Sequence, residues 1–447
     1  MNKTDFPLSR LGSLTAKIGS GITPTGGESS YVSEGVALIR SQNVVDGWLD
    51  LRGVARITHE QHESMSNSVV RPSDVLLNIT GASIGRTCIV PDDLPEANVS
   101  QHVCIIRCGP DLSPSYLFQY LSSDQGQRQI DLCQAGGNRQ GLNYQQIAGF
   151  HVPLPQLPEQ KAIASVLSSW DRGIRQLTDL IAAKLRFKQG LMQQLLTGNR
   201  RIPAGTISGL RELPLCDTAD DSIVSHEVEF GITGKSFKEG IPSISSCPLG
   251  WTQHQFRDVL NVVERPAEIG DDDTYQLVTA KRYRGGIVPR EQLRGDQIKT
   301  KTQFFVATGD FLISKRQIIH GACGMVPASL DGAVVSNEYV CLRPSSHLDL
   351  GFLRYLAHTR YFQQTCFHAS VGVALEKMIF RLDQWLKHLV NLPPLNEQKA
   401  IAHCLSTMDR EILLLARQRR LLKEQKKGMM QKLLTGEVRV KLPKGVV

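Results

Sequence analysis

Hydrophobic residues recur at alternating intervals of four and three in two stretches of the chain, residues 159–197 and 397–435. Eight of the ten positions that this spacing selects are apolar in each stretch. Such a spacing, sustained over about five heptads, is typical of a coiled-coil seam and predicts two long helices that pack on each other. The apolar seam positions are Ile163, Leu167, Trp170, Ile174, Leu177, Ile181, Leu191 and Leu195 in the first stretch, and Ile401, Leu405, Met408, Ile412, Leu415, Leu422, Met429 and Leu433 in the second; Lys184, Lys188, Arg419 and Lys426 fill the remaining positions.

The two stretches are also near-copies of one sequence. "LPQLPEQKAIASVL" begins at Leu154 and "LPPLNEQKAIAHCL" begins at Leu392, while "MQQLLTG" at Met192 recurs as "MQKLLTG" at Met430. A helix of this length is longer than a small domain is wide, which favours packing of the two long helices against each other. Packing of each helix against its own domain stays open as the alternative.

Each copy opens with prolines and ends at a glycine, Gly198 or Gly436, where a left-handed residue can stop a helix. Gly190 and Gly428 occupy equivalent interior positions, although glycine costs about 1 kcal/mol relative to alanine in a helix. A kink or a close backbone approach at the seam would each explain them, and both interpretations stay open.

The segments that precede the helices repeat more faintly. "DVLLNITGASIGRTCIVP" (Asp74 to Pro91) aligns without gaps to "DFLISKRQIIHGACGMVP" (Asp310 to Pro327). Short β-branched runs punctuated by glycine, proline and aspartate predict small mixed α/β domains rich in strands. The predicted boundaries are a first domain at 1–154, a first helix at 155–201, a connecting segment and second domain at 202–392, and a second helix with a tail at 393–447.

Charge is distributed unevenly. The net charge is +8, yet residues 1–158 hold 11 Lys and Arg against 14 Asp and Glu, and residues 202–396 hold 20 against 21. The excess lies in the helical segments, with 8 against 3 in residues 159–201 and 12 against 5 in residues 397–447. A polyanionic partner is one interpretation, and two solvated helix faces are the other.

Catalytic and metal-binding motifs are weak. The ten cysteines form no CxxC pair and the histidines no HExxH, which argues against zinc and for reduced core thiols. "GASIG" (Gly81 to Gly85) fits a nucleophile elbow around Ser83, but a strand-like run follows where a helix is required, so a turn is expected. "GITPTGG" (Gly21 to Gly27) lacks the Lys-Ser/Thr of a phosphate loop. No apolar run reaches the roughly 18 residues of a membrane span, so a cytoplasmic protein is expected.

Two variable α/β domains, each followed by "LPxLxEQKAIA" and a long helix ending in "LLTG", resemble the specificity subunit of Type I restriction-modification systems. "KEGIPSISSCPLGW" (Lys238 to Trp251) is similar to that family's lead-in to its second target-recognition domain. The resemblance covers essentially the whole chain. It implies an α/β (α+β) fold of two small target-recognition domains separated by two long helices, which form an antiparallel coiled coil in a pseudo-two-fold repeat.

The resemblance also implies a function. The chain would be a non-catalytic subunit that recognises a bipartite site in double-stranded DNA. It would serve as a scaffold for two adenine methyltransferase (modification) subunits and for restriction/translocase subunits. S-adenosylmethionine, ATP and Mg²⁺ would belong to those partners, with no cofactor in this chain and no membrane contact.

The candidate DNA-binding residues are Arg, Lys, Asn and Gln on predicted loops, since these side chains favour base edges. They are Arg40, Gln42 and Asn43 in "IRSQNV", Asn138, Arg139 and Gln140 in "AGGNRQG", Lys281, Arg282 and Arg284 in "TAKRYRGG", and Lys315, Arg316 and Gln317 in "SKRQ". Solvated loops are the competing interpretation for each. Two rival functions stay open, a hydrolase that uses Ser83 and a stand-alone DNA-binding regulator.

Overall fold

The computed structural model describes residues 6–45, 47–134, 141–202, 241 and 247–441. Most of the connecting segment predicted between Pro203 and Pro248 lies outside the described residues. The chain divides into two compact units, which we call the first unit (residues 1–176 and 419–447) and the second unit (residues 177–418). Each unit therefore combines one α/β domain with half of each long helix.

The first unit contains strands and short helices before the first long helix begins. The strands are β1 (Leu8–Arg10), β2 (Thr15–Ser20), β3 (Val36–Ile39), β4 (Val44–Val45), β5 (Trp48–Leu49), β6 (Ala55–Ile57), β7 (Val75–Asn78), β8 (Thr87–Ile89), β9 (Ala97–Val99), β10 (Val103–Cys108) and β11 (His151–Pro153). The helices are α1 (His59–Ser64), α2 (Pro114–Leu121), α3 (Asp124–Gln134), α4 (Tyr144–Ala148) and the start of α5 (Leu157–Leu195).

A central antiparallel sheet in the order β2-β10-β7-β8 organises this unit. Because successive side chains of a strand point to opposite faces, β7 supplies two cores. Val75 and Leu77 pack with Tyr116 of α2 and Ile163 of α5, whereas Leu76 packs toward Val99 of β9. The strand β9 belongs to a second sheet, β6-β3-β9, in which β3 and β9 are parallel.

The second unit repeats this plan. Its strands are β12 (Thr252–Gln255), β13 (Leu260–Val262), β14 (Pro266–Ala267), β15 (Thr274–Ala280), β16 (Ile287–Arg294), β17 (Gln303–Phe305), β18 (Phe311–Ser314), β19 (Cys323–Met325), β20 (Val334–Ser336), β21 (Tyr339–Pro344), β22 (Ser370–Val371), β23 (Ile379–Phe380) and β24 (Leu389–Leu392). Its helices are α6 (Phe256–Val259), α7 (Leu350–Leu356), α8 (Arg360–His368), α9 (Leu382–Trp385) and the start of α10 (Leu395–Thr435).

Here the central antiparallel sheet has the order β13-β21-β18-β19, and the second sheet has the order β14-β17-β20-β15-β16 with β15 and β20 parallel. Phe311 and Ile313 face the helices, while Leu312 faces the second sheet. Trp385, which is fully buried, stacks on Phe256 with ring centroids 4.3 Å apart. The predicted fold of two mixed α/β domains that share one plan is confirmed.

A buried aspartate that pairs with arginine braces each central sheet at equivalent positions. Asp74 accepts bonds from Arg107 at 2.8 and 2.7 Å, and Asp310 accepts bonds from Arg343 at 2.8 Å and from Arg265 at 2.7 and 3.1 Å. Burial alone would raise the pKa of Asp310, but the bonds from Arg265, the Ala307 N–H and Arg343 outweigh it and lower that pKa. The faint repeat thus encodes a structural ion pair.

In each unit the two long helices run antiparallel. In the first unit Asp171 pairs with Lys426 at 2.6 Å, and Glu159 pairs with Arg439 at 2.6 Å. Residue numbers therefore increase along α5 as they decrease along the segment that contains α10, which is the antiparallel order. The second unit has the equivalent pairs, Lys188 with Asp409 and Arg201 with Glu397. Here the first repeat copy supplies the cations and the second supplies the carboxylates.

The predicted apolar seam positions are all buried or half-buried. Ile163, Leu167 and Leu433 belong to the core of the first unit, and Leu195, Ile401 and Leu405 to the core of the second. Ile181 and Ile412 form a small separate cluster, with Leu415 against it. Both interpretations of the helices therefore hold, because their ends pack on the domains while the segments between pack on each other.

A buried glutamine fastens the start of each long helix to its domain. Gln160 accepts from the Ser113 N–H at 2.8 Å and donates to Asp111 O and Pro155 O, both at 2.9 Å. Gln398 makes the equivalent three bonds in the second unit, to Asp349, His347 and Pro393. Contacts inside each unit therefore explain why Glu-Gln occurs in both copies of the repeat.

The glycines at the helix ends behave as predicted, with φ of 74° at Gly198 and 82° at Gly436. The interior glycines do not. Both helices run without interruption through Gly190 and Gly428, and a Cβ built on either one meets no described atom within 4 Å. Neither a kink nor a close approach inside the described chain accounts for them. No helix in the described ranges is long and apolar enough to cross a membrane.

Candidate nucleic-acid interface

Three loops of the second unit meet at one edge of its sheets. They are the hairpin loop between β15 and β16 (281–286), the segment after β18 (315–321) and the hairpin of β22 and β23 (370–380). The Arg284 N–H donates to Gly321 O at 3.0 Å, and the Phe380 N–H donates to Lys315 O at 2.9 Å. These bonds join the three loops into one surface, which we call the second loop surface.

The hairpin loop between β15 and β16 carries three of the predicted DNA-binding residues. Lys281 is exposed, and Arg282 is 43% exposed and pairs with Glu376 at 2.9 Å. Arg284 does not reach outward. It is 9% exposed, and its Nε donates to Ala357 O at 3.2 Å. Arg284 therefore holds the loop in place from inside the second unit.

The segment after β18 carries the other three. Lys315 donates to Asn337 O at 2.6 Å, and exposed Arg316 forms a two-pronged pair with Glu338 at 2.7 and 3.1 Å. Gln317 is half-buried, with a buried Oε1 that has no hydrogen-bond partner among the described residues. Arg316 thus presents a guanidinium to solvent, although a nearby carboxylate already occupies it.

A second carboxylate on this surface, Glu376, contacts two basic side chains. Glu376 accepts from Arg282 and lies 3.3 Å from Nε2 of His320. Partial burial lowers the pKa of His320, with Arg282 adding to the effect and Glu376 opposing it. His320 is therefore neutral near pH 7. Neither His320 nor Glu376 was predicted from the sequence as part of a site.

An equivalent surface exists in the first unit, and we call it the first loop surface. The loop after β3 (40–45) corresponds to the loop after β15, because β3 and β15 are the strands that pair in parallel with β9 and β20. Asn78 donates from Nδ2 to Ser41 O at 2.8 Å and to Ser83 Oγ at 3.1 Å. This bond pair joins the loop after β3 to the turn after β7.

The predicted residues of the first loop surface differ in exposure. Gln42 is exposed, and Arg40 pairs with Glu28 at 3.0 Å while its guanidinium lies 5.3 Å from the centre of the Tyr31 ring. Asn43 is 2% exposed, accepts from the Arg40 N–H at 3.0 Å and donates to Asp50 O at 2.8 Å. Asn43 therefore closes the loop internally, and both of these hydrogen bonds stay within the first unit.

Ser83 lies in a turn between the antiparallel strands β7 and β8, as predicted, and no helix follows it. The strand–turn–helix that a nucleophile elbow requires is therefore missing at this position. Among the described residues, no group of three or more His, Cys, Asp or Glu side chains is arranged to hold a metal ion.

Asn138, Arg139 and Gln140 lie outside the described residues. The Leu142 N–H donates to Ile79 O at 2.9 Å, which is the counterpart of the bond from Phe380 to Lys315. In the sequence repeat the hairpin of β22 and β23 aligns with the stretch that holds these three residues, yet the sequence prediction did not include it. The repeat itself was the available signal, because Glu376 and Lys377 align with Asn138 and Arg139.

The two surfaces share a frame and differ in side chains. Where the first unit pairs Thr80 with His102 at 2.6 Å, the second unit pairs Arg316 with Glu338. Exposed amides, hydroxyls, imidazoles and guanidinia are the groups that form hydrogen bonds with base edges in a groove of DNA. The arrangement is one scaffold carrying two different sets of polar contacts.

The family model described as Type I restriction modification DNA specificity domain matches residues 36–185 and 248–424. The MjaVIII specificity subunit of Methanocaldococcus jannaschii is 25% identical over 300 residues, which cover 65% of this chain and 62% of that protein. The chain therefore spans under two thirds of that relative. The putative MjaX specificity subunit of the same organism is 22% identical over 420 residues, covering 91% of this chain and 88% of that protein.

Two solved structures are similar in fold. The S subunit of a Type I restriction-modification system from M. genitalium aligns with a TM-score of 0.54 at 13% identity, covering 99% of this chain and 98% of that one. A chain from a study of complex assembly and conformational transition in the type I R-M system aligns with a TM-score of 0.51 at 15% identity, covering 98% and 100%.

Proposed function

The chain belongs to the family of Type I restriction modification DNA specificity domains, and from this premise we propose that its two units recognise the two halves of a bipartite DNA site. In this proposal the first loop surface contacts one half-site and the second loop surface contacts the other. The observation that carries the proposal is the pair of equivalent loop surfaces with different exposed polar groups. A shared frame with different contacts suits two half-sites of different sequence.

The contacts to bases would come from the exposed members of the predicted set. These are Gln42 in the first unit and Lys281, Arg282 and Arg316 in the second, together with Arg40, whose side chain is 23% exposed. Arg40, Arg282 and Arg316 already pair with carboxylates that are themselves 43–86% exposed. Exposed pairs contribute about 0–1 kcal/mol, so a base or phosphate can displace the carboxylate at little cost.

The two long helices would serve as the scaffold for partner subunits. Internal contacts explain many of the residues that are identical in both copies, as Gln160 and Glu159 show. Three exposed identities remain unexplained within the described chain, namely Lys161 with Lys399, Gln193 with Gln431, and Gly190 with Gly428. Each unit contains one member of every pair, with Lys161, Gly428 and Gln431 in the first unit and the other three in the second. Two equivalent sets suit two copies of one partner type.

We assign these partners to the two methyltransferase subunits, with restriction/translocase subunits joining the same complex. S-adenosylmethionine, ATP and Mg²⁺ would be bound by the partners. A glycine that faces open space inside a helix is unfavourable by about 1 kcal/mol, which is understandable if a partner backbone lies against it.

Domain exchange tests the recognition proposal. Residues 1–150 are replaced by the matching segment of a relative, and the methylated sequence is mapped by single-molecule sequencing of DNA modified by the assembled complex. We expect one half of the methylated sequence to change and the other half to stay. A change in both halves, or in neither, would contradict independent recognition.

Glycine replacement tests the scaffold proposal. Gly190→Leu should remove one methyltransferase copy from the complex, and Gly190→Leu with Gly428→Leu should remove both, as measured by native mass spectrometry. Gly173→Leu is the matched control, because Gly173 is also helical with open space around it but has Glu411 at the equivalent position. Full assembly of the double variant would refute the docking surface.

A stand-alone DNA-binding regulator is distinguished by affinity. We expect the isolated chain to bind DNA weakly, because the domains carry no excess of positive charge and phosphate neutralisation supplies most non-specific affinity. Tight, sequence-specific binding by fluorescence anisotropy without methyltransferase subunits would favour the regulator.

A further inference from the structure

The hairpin between β15 and β16 ends in a strained turn. The Gly285 N–H donates to Arg282 O at 3.2 Å, and the two central residues, Tyr283 with φ of 58° and Arg284 with φ of 60°, are both left-handed. Turns of this kind normally carry glycine or asparagine at these positions, because a larger side chain crowds the backbone. Strain of this kind persists where the surroundings enforce it and is common at binding sites.

Arg284 explains how the turn is held. Its N–H donates to Gly321 O at 3.0 Å, and its buried guanidinium bonds to Ala357 O and to the amide of Gln363. The Arg284 side chain thus points into the second unit and fixes the backbone beside it. This anchor accounts for one of the two left-handed residues.

Tyr283 has no such internal explanation. The residue is 70% exposed, so its ring gains little from packing within the described chain. Its neighbours are Lys281, which is exposed, and Arg282, whose charge lies at the surface. The anchored turn therefore presents an exposed aromatic ring on the second loop surface, next in sequence to Arg282, which pairs with the exposed carboxylate of Glu376.

We propose that Tyr283 is an aromatic wedge that stacks on a base of the second half-site, at a step of the duplex that opens on binding. This inference rests on the proposed function and adds a specific contact to it. An aromatic face stacks on any base, and side chains inserted between base pairs unstack and kink the duplex. Lys281 and Arg282 would neutralise the phosphates on either side of the opened step.

Stacking on a base requires the aromatic ring of Tyr283 but not its hydroxyl, and three variants test this difference. Tyr283→Phe keeps the ring, Tyr283→Ala removes it, and Tyr283→Gly removes it while relieving the left-handed strain. Each variant is purified as the full complex with its methyltransferase subunits. Binding is measured by anisotropy on the duplex that methylation mapping of the wild type identifies, and unstacking by 2-aminopurine fluorescence at each step of the second half-site.

We expect Tyr283→Phe to bind within about two-fold of the wild type. Tyr283→Ala and Tyr283→Gly should each lose about ten-fold or more in affinity, since stacking of one base contributes about 1–3 kcal/mol and 1.4 kcal/mol is ten-fold. The 2-aminopurine signal at the opened step should disappear in both. Tyr283→Gly should unfold at the same temperature as the wild type or higher, which excludes misfolding as the cause of the loss.

Three results would overturn the inference. One is unchanged affinity and unstacking in the alanine and glycine variants. Another is an equal loss in the phenylalanine variant, which would assign the contact to the hydroxyl. The third is a loss of methyltransferase assembly, which would assign the ring to a protein interface. If the sequence that the wild-type complex recognises did not depend on the second domain, the proposed function would fail instead. The two failures are therefore distinguishable.

Discussion

Removal of Asp409 should expose the energetic value of the polar contacts between the long helices. Lys188 and Asp409 have side chains that are only 12% and 10% exposed. The Tyr355 hydroxyl donates to the same carboxylate at 2.7 Å. In Asp409→Ala the Lys188 ammonium and the Tyr355 hydroxyl both lose a partner while they stay buried. Breaking a buried pair in this way typically costs about 3–5 kcal/mol.

The repeat supplies two internal controls. Asp171 is the counterpart of Asp409, pairs with Lys426 and accepts from Gln119 at 2.7 Å, but it is 34% exposed, so Asp171→Ala should cost less. Glu411, at 50% exposed, pairs with Lys184 at 2.7 Å, and Glu411→Ala should cost under about 1 kcal/mol. The expected order of destabilisation is Asp409, then Asp171, then Glu411.

Native-state hydrogen exchange resolved by peptide measures the opening free energy of each unit separately. A triple variant, Lys188→Met with Asp409→Leu and Tyr355→Phe, should recover most of the lost stability, because apolar groups of similar size often replace a buried pair without loss. A cost below about 1 kcal/mol for Asp409→Ala would refute the reasoning. An equal cost for Asp171→Ala would show that burial does not set the magnitude.

Two further predictions concern pH and geometry. Burial, with Arg284, Lys188 and Arg354 nearby, lowers the pKa of His358 well below 6.5, so the unfolded chain takes up the proton first. The free energy of unfolding of the second unit should be constant above about pH 6.5 and should fall below that pH, by up to about 1.4 kcal/mol per pH unit for this group. Urea unfolding at several pH values should show a weaker dependence of that free energy on pH in His358→Gln. Inserting four residues after both Asp179 and Arg417 lengthens the helices by about 6 Å and should lengthen the unrecognised spacer of the methylated sequence by about one or two base pairs. An unchanged spacer with full activity would show that the helices do not set the distance.

The long helices were predictable because their signal is local. Heptad spacing, prolines at the start and glycines at the end all lie within one segment of sequence. The partners of the polar seam positions were not predictable in the same way. Asp409 follows Met408 in sequence but bonds to Lys188 more than two hundred residues away, and only the folded chain brings them together.

That these segments are loops was predictable from the sequence, but the direction of their side chains was not. The sequence prediction selects loops by their polar side chains, and two of these loops, after β3 and β15, lie at equivalent positions in the two units. Whether a side chain faces inward depends on distant acceptors, such as Asp50 O for Asn43 and Ala357 O for Arg284. The same preference for polar residues missed the hairpin of β22 and β23, whose exposed residues include Val373.

The division of each long helix between two units has a consequence for synthesis on the ribosome. The core of the first unit contains Met430, Leu433 and Leu434 from the far end of α10, in contact with the cluster that holds Ile163 and Leu167. Those residues are translated roughly 15 to 50 s after α5 at about 5–20 residues per second. Part of the apolar surface of the first domain therefore stays uncovered until the end of α10 emerges. A nascent chain needs protection over that interval, and of these two domains the one translated first is completed last.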